Sequence, residues 1–520
     1  MKKLNDLEYL KLSKFEAFQY KLLMFLCAIP GWIWHGLVKA YQAVLGFLTS
    51  ILEGFVDIGT TFTKGNWAVK LSFFIFGFGN LYYGQIMRGL FFLLFEIIFI
   101  GYMLVPSGGL YWLAKGNWFQ VGKTIGTVQG GMQYDPIFDT DTWVGGDDSV
   151  KVMLYGLLTI LFIVGFIYTW RLQVKQCKIC MDITAKGKKV RSGKEDVKSL
   201  LDDQFHKTLL SLPLAGIMFF TVLPIIYMVL VAFTSYDAAH DGYSNLFSWV
   251  GLKHFNELFN FGKGGLGLAF GEILSWTLIW AFFATFSNYF LGMFVAIMIN
   301  KKGIRLKKFW RTVLVMTIAI PQFVSLLYVS KMFTSSGIIG EALGTIPFIA
   351  EFLQTNHYVS LWDSPTMAKV LLIVINIWIG IPHIMLMATG ILMNIPADLY
   401  ESAKIDGASG WKQYTKITLP YMLFVTGPYL LTSFTGNMNN FNVIYLLTAG
   451  APTTAAASSA AGSVGYTDLL ITWLFKITTG AESQYYMASV IGILVFVVVA
   501  LISLVVYNLL PSIKNEEDFR

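Results

Sequence analysis

Long apolar runs separated by short polar stretches dominate this chain. Eight of them, over residues 87–106, 151–170, 208–233, 272–299, 311–333, 366–393, 421–449 and 487–510, reach the roughly 20 residues that a helix needs to cross a bilayer core. The pattern predicts an all-α polytopic protein of about eight transmembrane helices. Pro213 and Pro224 are expected to kink the third span, and Gly436 to Asn442 to break the seventh. Before the first span, residues 16–58 are apolar but interrupted by Lys21, His35, Lys39, Glu53 and Asp57, which suggests helices lying in the membrane interface. The stretch MKKLNDLEYLKLSKFEAF ahead of them is too polar for a cleaved signal peptide. Small residues follow the seventh span in AGAPTTAAASSAAGSVG, a flexible-looking tail.

Charge orients the spans. Lys186, Lys188, Lys189, Arg191, Lys194 and Lys198 fall in a basic loop over 171–207. Lys301, Lys302, Arg305, Lys307, Lys308 and Arg311 crowd a turn of eleven residues. Each would cost about 2.5–3.5 kcal/mol at a bilayer centre, so both segments belong to the cytoplasmic face. The loop 107–150 ends acidic, with Asp135, Asp139, Asp141, Asp147 and Asp148, and is expected outside as a solvated loop without a basic partner. The alternation closes with both termini cytoplasmic. Composition agrees: 55% hydrophobic and 13% charged residues, with mean hydropathy +0.61, exclude an ordinary soluble domain. The net charge of +7 is spent on topology, so no nucleic-acid partner is expected.

Between the sixth and seventh spans lies a polar stretch, Leu399 to Pro420, LYESAKIDGASGWKQYTKITLP. It reads as two short helices, with Pro396 in the first turn, a positive φ at Gly407, a second helix from about Gly410 to Thr418, and Pro420 opening the next span. Lys404, Lys412 and Lys416 set it on the cytoplasmic side. Glu401, Ser402, Ala403, Asp406, Gly407, Ala408, Ile417, Leu419 and Pro420 resemble the EAA loop of binding-protein-dependent ABC importer permeases, with Ser402 replacing the usual alanine.

The resemblance implies a type I ABC importer permease fold. Residues 208–510 would form a six-helix core with its coupling loop at 396–420. Residues 1–86 would form interfacial helices, 87–207 an accessory two-helix extension and 511–520 a cytoplasmic tail. In that family the loop docks on a separate ATPase, which implies coupling roles for Glu401, Ser402, Ala403, Asp406 and Gly407. No Walker motif is present, so ATP and Mg would reside on the partner and this chain would carry no cofactor and no catalytic or metal-binding residue. The implied partners are a second homologous permease, a homodimeric cytoplasmic ABC ATPase, an extracellular solute-binding protein and the lipid bilayer, in a bacterial cell membrane.

Two segments, NIWIGIPHIMLMATGIL at 376–392 and GNMNNFNVIYLLTAGAP at 436–452, resemble the sugar-lining stretches of maltose-type permeases. Amides and flat aromatics suit an uncharged polyol, and the segments lack the Arg or Lys that an anion would want. Trp378, Gly380, His383, Asn437, Asn440 and Phe441, with Tyr328 and Ser325 from the fifth span, are the candidate substrate residues for an oligosaccharide of maltodextrin-like type. The alternative is that the asparagines bond backbone carbonyls between helices.

Other signals lead elsewhere. GNWFQVGKT at 116–124 approximates a phosphate loop but has five residues between its glycines where four are required. DTDTWVGGDD misses the calcium-loop spacing. Cys177 and Cys180 form a CxxC with no second ligand pair, and Cys27 stands alone, so the cysteines read as incidental. Glu96 inside the first span reads as a protonated or hydrogen-bonded carboxyl facing another helix. FGFGNLYYGQIMRG at 76–89 offers close packing at Gly77, Gly79 and Gly84. The competing classes are an ion-coupled secondary transporter, which wants several intramembrane carboxylates, and a polytopic glycosyltransferase, which wants a polar cluster at one membrane face.

Overall fold

The computed structural model describes residues 36–509, apart from 37, 40, 44, 47, 48, 51, 52, 55, 127, 129, 243–244, 262–265, 302, 454–463 and 481. The polar N-terminal stretch, Cys27, most of the small-residue tail and residues 511–520 therefore lie outside the described residues. The described positions from 36 to 64 are helical. The chain divides into two units, one of residues 1–113 and 157–216, the other of 114–156 and 217–520.

In the first unit, α1 (Trp67–Leu71) and α2 (Phe78–Tyr82) lead into the span α3 (Ile86–Leu104). The long α5 (Ser149–Ala185) passes beside α3 in the opposite direction. Tyr102 bonds Thr159 at 2.7 Å, Phe99 stacks on Phe166 at 3.8 Å, and Arg88 donates to Gln176 at 3.2 Å, so partners rise on α5 as they fall on α3. The glycine-rich segment packs on the same helix. A β-carbon at Gly79 would collide with Cys177 Sγ and Ser72 Oγ. Gly79 N–H donates to Ser72 Oγ at 2.6 Å, and Cys180 Sγ lies 3.3 Å from Gln85 Oε1. The CxxC is thus the buried face against which this segment folds, not an incidental pair. Glu96 accepts the Phe76 backbone N–H at 2.9 Å; its partner is the turn between α1 and α2 rather than a facing span. The expected basic loop 171–207 is largely helical. It continues α5 to Ala185 and then forms α6 (Gly193–Leu201), whose Ser192 and Glu195 make a reciprocal N-terminal cap.

The span α7 (Phe205–Val231) carries Pro213 within it and a π-helical turn, Met218–Val222, just ahead of Pro224. A wider turn there accommodates the amide that proline lacks.

The loop 107–150, most of it in the second unit, is more ordered than the expected solvated acidic segment. It holds α4 (Gly109–Lys115), which begins in the first unit, and an antiparallel hairpin of β1 (Gly131–Asp135) and β2 (Thr140–Val144). Asp147 is buried and pairs with Lys115 Nζ at 2.8 Å, so this loop does have a basic partner. Trp249 donates to the Gly116 carbonyl at 2.8 Å, ahead of the short α8 (Lys253–Leu258).

The centre of the second unit is α9 (Leu266–Asn300), packed against the span α14 (Pro365–Leu392) and α17 (Leu419–Met438). Towards its N-terminal end Trp276, Trp280, Leu372 and Val443 form one core; Tyr289, Met293, Met385 and Met422 form another further along. The expected fifth span is not straight. It is α10 (Lys307–Ala319) and α11 (Gln322–Met332), bent by 92°. Pro321 forces Ile320 out of the helical region, to ψ 128°, which ends α10. Two short helices, α12 (Ile338–Gly344) and α13 (Pro347–Thr355), follow. Towards the C-terminus, α19 (Leu470–Thr479) packs through Trp473 on the span α20 (Tyr485–Leu509). The described helices include seven long and apolar enough to span a membrane, or eight with the bent pair.

Candidate functional site

The polar hairpin begins with α15 (Ala397–Ile405). Asp398 in its first turn and Lys404 in its last complement the helix dipole. Pro396 is the residue before the first turn, with ψ 132°, rather than a member of it. Gly407 takes φ +73°, and the Ala408 N–H returns to the Ala403 carbonyl at 2.8 Å. Ser409 caps α16 (Gly410–Gln413), and Gln413 Nε2 donates to the Ala408 carbonyl at 2.9 Å, bracing the turn from inside.

The expected second short helix does not end at Thr418. A π-helical turn, Tyr414–Thr418, carries α16 directly into α17, with Pro420 in its first turn. As at Pro224, the wider turn spares the missing amide. The hairpin's second arm is therefore the N-terminal end of the seventh span itself. Glu401, Ser402, Asp406 and Gly407 are exposed, and Ala403 is half-buried. Ile405 is 86% and Trp411 73% exposed, so large apolar side chains stand beside the two carboxylates. Among the described residues no ion pair engages Glu401 or Asp406.

The candidate substrate residues fall in three places. At the break between α17 and α18 (Phe441–Thr448), Asn437 Nδ2 donates to Thr285 Oγ1 at 3.0 Å and Asn440 Nδ2 to Asn437 Oδ1 at 3.3 Å. Asn440 Oδ1 also caps α18 through the Val443 N–H at 3.3 Å. Part of the amide capacity is thus used within the protein, on a hydroxyl, a neighbouring amide and a helix cap rather than on the backbone carbonyls of the interhelical alternative. Phe441 stacks on Tyr445, with ring centroids 4.8 Å apart. On α14, Trp378 is 51% exposed, His383 lies 6.3 Å from the Tyr429 ring, and Gly380 leaves the space that the Asn288 amide fills. On α11, Tyr328 is 70% exposed and Ser325 partly so.

Two further groups escaped the sequence reading. Asn288 Oδ1 on α9 and Asn376 Nδ2 on α14 are buried without a hydrogen-bond partner among the described residues. An asparagine inside a span was the available signal; Asn376 heads the very segment NIWIG. Buried amides of this kind require satisfaction.

Residues 288–515 match the family described as "Binding-protein-dependent transport system inner membrane component". The maltodextrin transport system permease protein MalC of Streptococcus pneumoniae is 32% identical over 377 residues, 72% of this chain and 85% of that protein. The galactooligosaccharides transport system permease protein GanP of Bacillus subtilis is 32% identical over 381 residues, covering 73% and 88%. The maltose/maltodextrin permease MalF of Escherichia coli matches at 31% over 259 residues, 49% of this chain and 48% of its own. A chain of a bacterial ABC transporter involved in alginate import aligns over 61% of this chain and 98% of its own, at TM-score 0.48 and 21% identity, too loosely to carry an argument.

The chain belongs to the binding-protein-dependent inner membrane component family. It is a multi-pass permease subunit of an ABC importer, and ATP hydrolysis resides on a separate subunit. The secondary-transporter and glycosyltransferase alternatives fall away.

Proposed function

We propose that this permease forms half of the pathway of an oligosaccharide importer, with maltodextrin-like or related sugars as substrates. The names of its relatives support the sugar class. The observation that carries the coupling reading is the hairpin: an exposed tip of Glu401, Ile405, Asp406 and Trp411 whose second arm runs unbroken into α17.

An ATPase groove that grips such a tip moves a transmembrane helix directly. Alternating access asks for that linkage between a cytoplasmic lever and a site near the midplane. Glu401 would meet a cation on the ATPase, and Ile405 and Trp411 would fill its apolar groove. Asn437, Asn440, Trp378 and Phe441 would offer hydroxyl partners and flat apolar faces to the sugar. A second permease, a pair of ATPase subunits and an extracellular solute-binding protein complete the assembly, with both termini of this chain in the cytoplasm of a bacterium.

The test is reconstitution of the assembled importer in vesicles. ATP-dependent uptake of an oligosaccharide is expected, and Glu401→Lys should abolish it while membrane insertion and assembly of the permease pair persist. Normal uptake by that variant would refute the docking assignment. Failure of every sugar in a panel to stimulate ATP hydrolysis would refute the sugar class.

A further inference from the structure

The first unit holds an open groove of about 600 Å³, called the cavity below, that the transport reading does not use. It lies between the segment before α3 and the end of α5, lined by Asn66, Tyr82 and Tyr83 on one side and by Met181, Thr184, Lys188 and Lys189 on the other. We propose that this cavity binds the phosphodiester headgroup of an anionic phospholipid of the cytoplasmic leaflet.

Depth is the first argument. α3 has 19 residues, a length of about 28 Å, close to the hydrocarbon thickness of a bilayer. Its first turn is level with Gln176 on α5, through the Arg88–Gln176 bond. Tyr82 and Tyr83 lie about one turn before it, and Met181 to Lys189 begin more than one helical turn beyond Gln176. The cavity therefore sits one to two turns beyond the hydrocarbon edge, at headgroup level. The cations at 171–191 make this the cytoplasmic end, where anionic lipids gather.

Chemistry is the second. α5 ends in a turn in which the Lys188 N–H reaches back to the Ile183 carbonyl at 3.1 Å and the Gly187 N–H to that of Thr184 at 3.0 Å. This fixes where Lys188 and Lys189 leave the helix. Both are exposed, and among the described residues neither meets a carboxylate. The nearby carboxylates are engaged elsewhere: Asp57 pairs with Lys178 at 2.5 Å, and Glu195 accepts the Ser192 N–H at 2.8 Å. Asp182 is exposed on α5 but does not line the cavity. The Tyr83 hydroxyl accepts from Asn66 Nδ2 at 2.8 Å, which leaves its own proton to donate. Two ammonium groups and a phenol suit one phosphodiester.

Shape is the third. Ile86, Met87, Leu90 and Phe91 form an exposed apolar strip just membrane-ward of the cavity, where the acyl chains of the same molecule would lie. A soluble phosphate ester shares the headgroup chemistry but has no use for that strip.

The test is native mass spectrometry of the full-length permease in its complex, titrated with phosphatidylglycerol or phosphatidylcholine. We expect a resident phosphatidylglycerol that Lys188→Gln/Lys189→Gln weakens at least tenfold. Lys188→Arg/Lys189→Arg should retain it, and Lys404→Gln/Lys412→Gln, on the coupling hairpin, should leave it unchanged. Equal binding of phosphatidylcholine, or full retention in the double glutamine variant, would overturn the proposal. Displacement of the lipid by millimolar inorganic phosphate, with phosphate bound in its place, would assign the cavity to a soluble ligand instead. An unchanged thermal unfolding curve for the glutamine variant separates lost binding from lost fold.

Discussion

The Tyr400 hydroxyl lies 2.9 Å from that of Thr418, joining the first helix of the polar hairpin to the turn that becomes the seventh span. Thr418 is buried, so this bond sits inside the elbow of the hairpin, the proposed lever. A lever transmits motion only if its two arms keep their angle. Tyr400→Phe removes one hydroxyl at a cost of about 1 kcal/mol. The expected outcome is assembly as in the parent, with substrate-stimulated ATP hydrolysis retained but uptake per ATP reduced several-fold. Parallel assays of hydrolysis and uptake in one vesicle preparation check it; an unchanged ratio would show that the bond is not needed for coupling.

Glu96 serves the fold. Its carboxyl satisfies the Phe76 N–H between α1 and α2. Glu96→Gln keeps an acceptor and should hold stability to within about 1 kcal/mol, whereas Glu96→Leu strands a buried donor and should cost about 1–3 kcal/mol. Thermal unfolding of the purified complex separates the two. Loss of transport in the glutamine variant with unchanged stability would point to a proton-carrying role.

A second buried carboxyl, in the other unit, holds the turn before α19. Asp468 is fully buried, pairs with Lys476 Nζ at 2.7 Å and accepts from the Gly465 N–H at 2.7 Å and Thr472 Oγ1 at 2.9 Å. Burial drives its pKa above the usual carboxylate range, against the pull of Lys476 and these donors. Lys476→Ala leaves the charge uncompensated and should destabilise by about 3–5 kcal/mol. A raised folded-state pKa favours the protonated form, so the loss should be smallest in acid and deepen as pH rises above roughly 4. Asp468→Asn in the same background should recover much of it. Unfolding temperatures measured across pH decide the matter, and a pH-independent loss would remove the charge from the explanation.

On the pathway side, Trp378 presents half its surface from the middle of α14. If it stacks against a sugar ring, Trp378→Ala should raise the sugar concentration that half-stimulates ATP hydrolysis by about tenfold, which corresponds to ~1.4 kcal/mol. An unaltered sugar dependence would move the site towards Asn288 and Asn376.

Much of this architecture was legible in the apolar pattern, because a span must be long and uncharged whatever it packs against. The positive φ at Gly407 was legible too, since an Asp-Gly step between two polar helices asks for it. What escaped were features set by partners distant in sequence. Cys177 and Cys180 looked idle because nothing local shows that Gly79 folds against them. Asp147 looked solvated because Lys115 is 32 residues away. The 92° bend before Gln322 was within reach, since Pro321 stood in the middle of an apolar run. Most of the candidate sugar residues are amides and aromatics within spans. Which of those amides are already bonded, and which stand open, depends on the facing helix.

The most direct measurement is accessibility at the hairpin tip. Ile405→Cys, in a background whose native cysteines are replaced, should react with a membrane-impermeant maleimide only from the cytoplasmic face, and the ATPase subunits should protect it when bound. Reaction from the outside, or equal reaction with and without the ATPase, would contradict the coupling role.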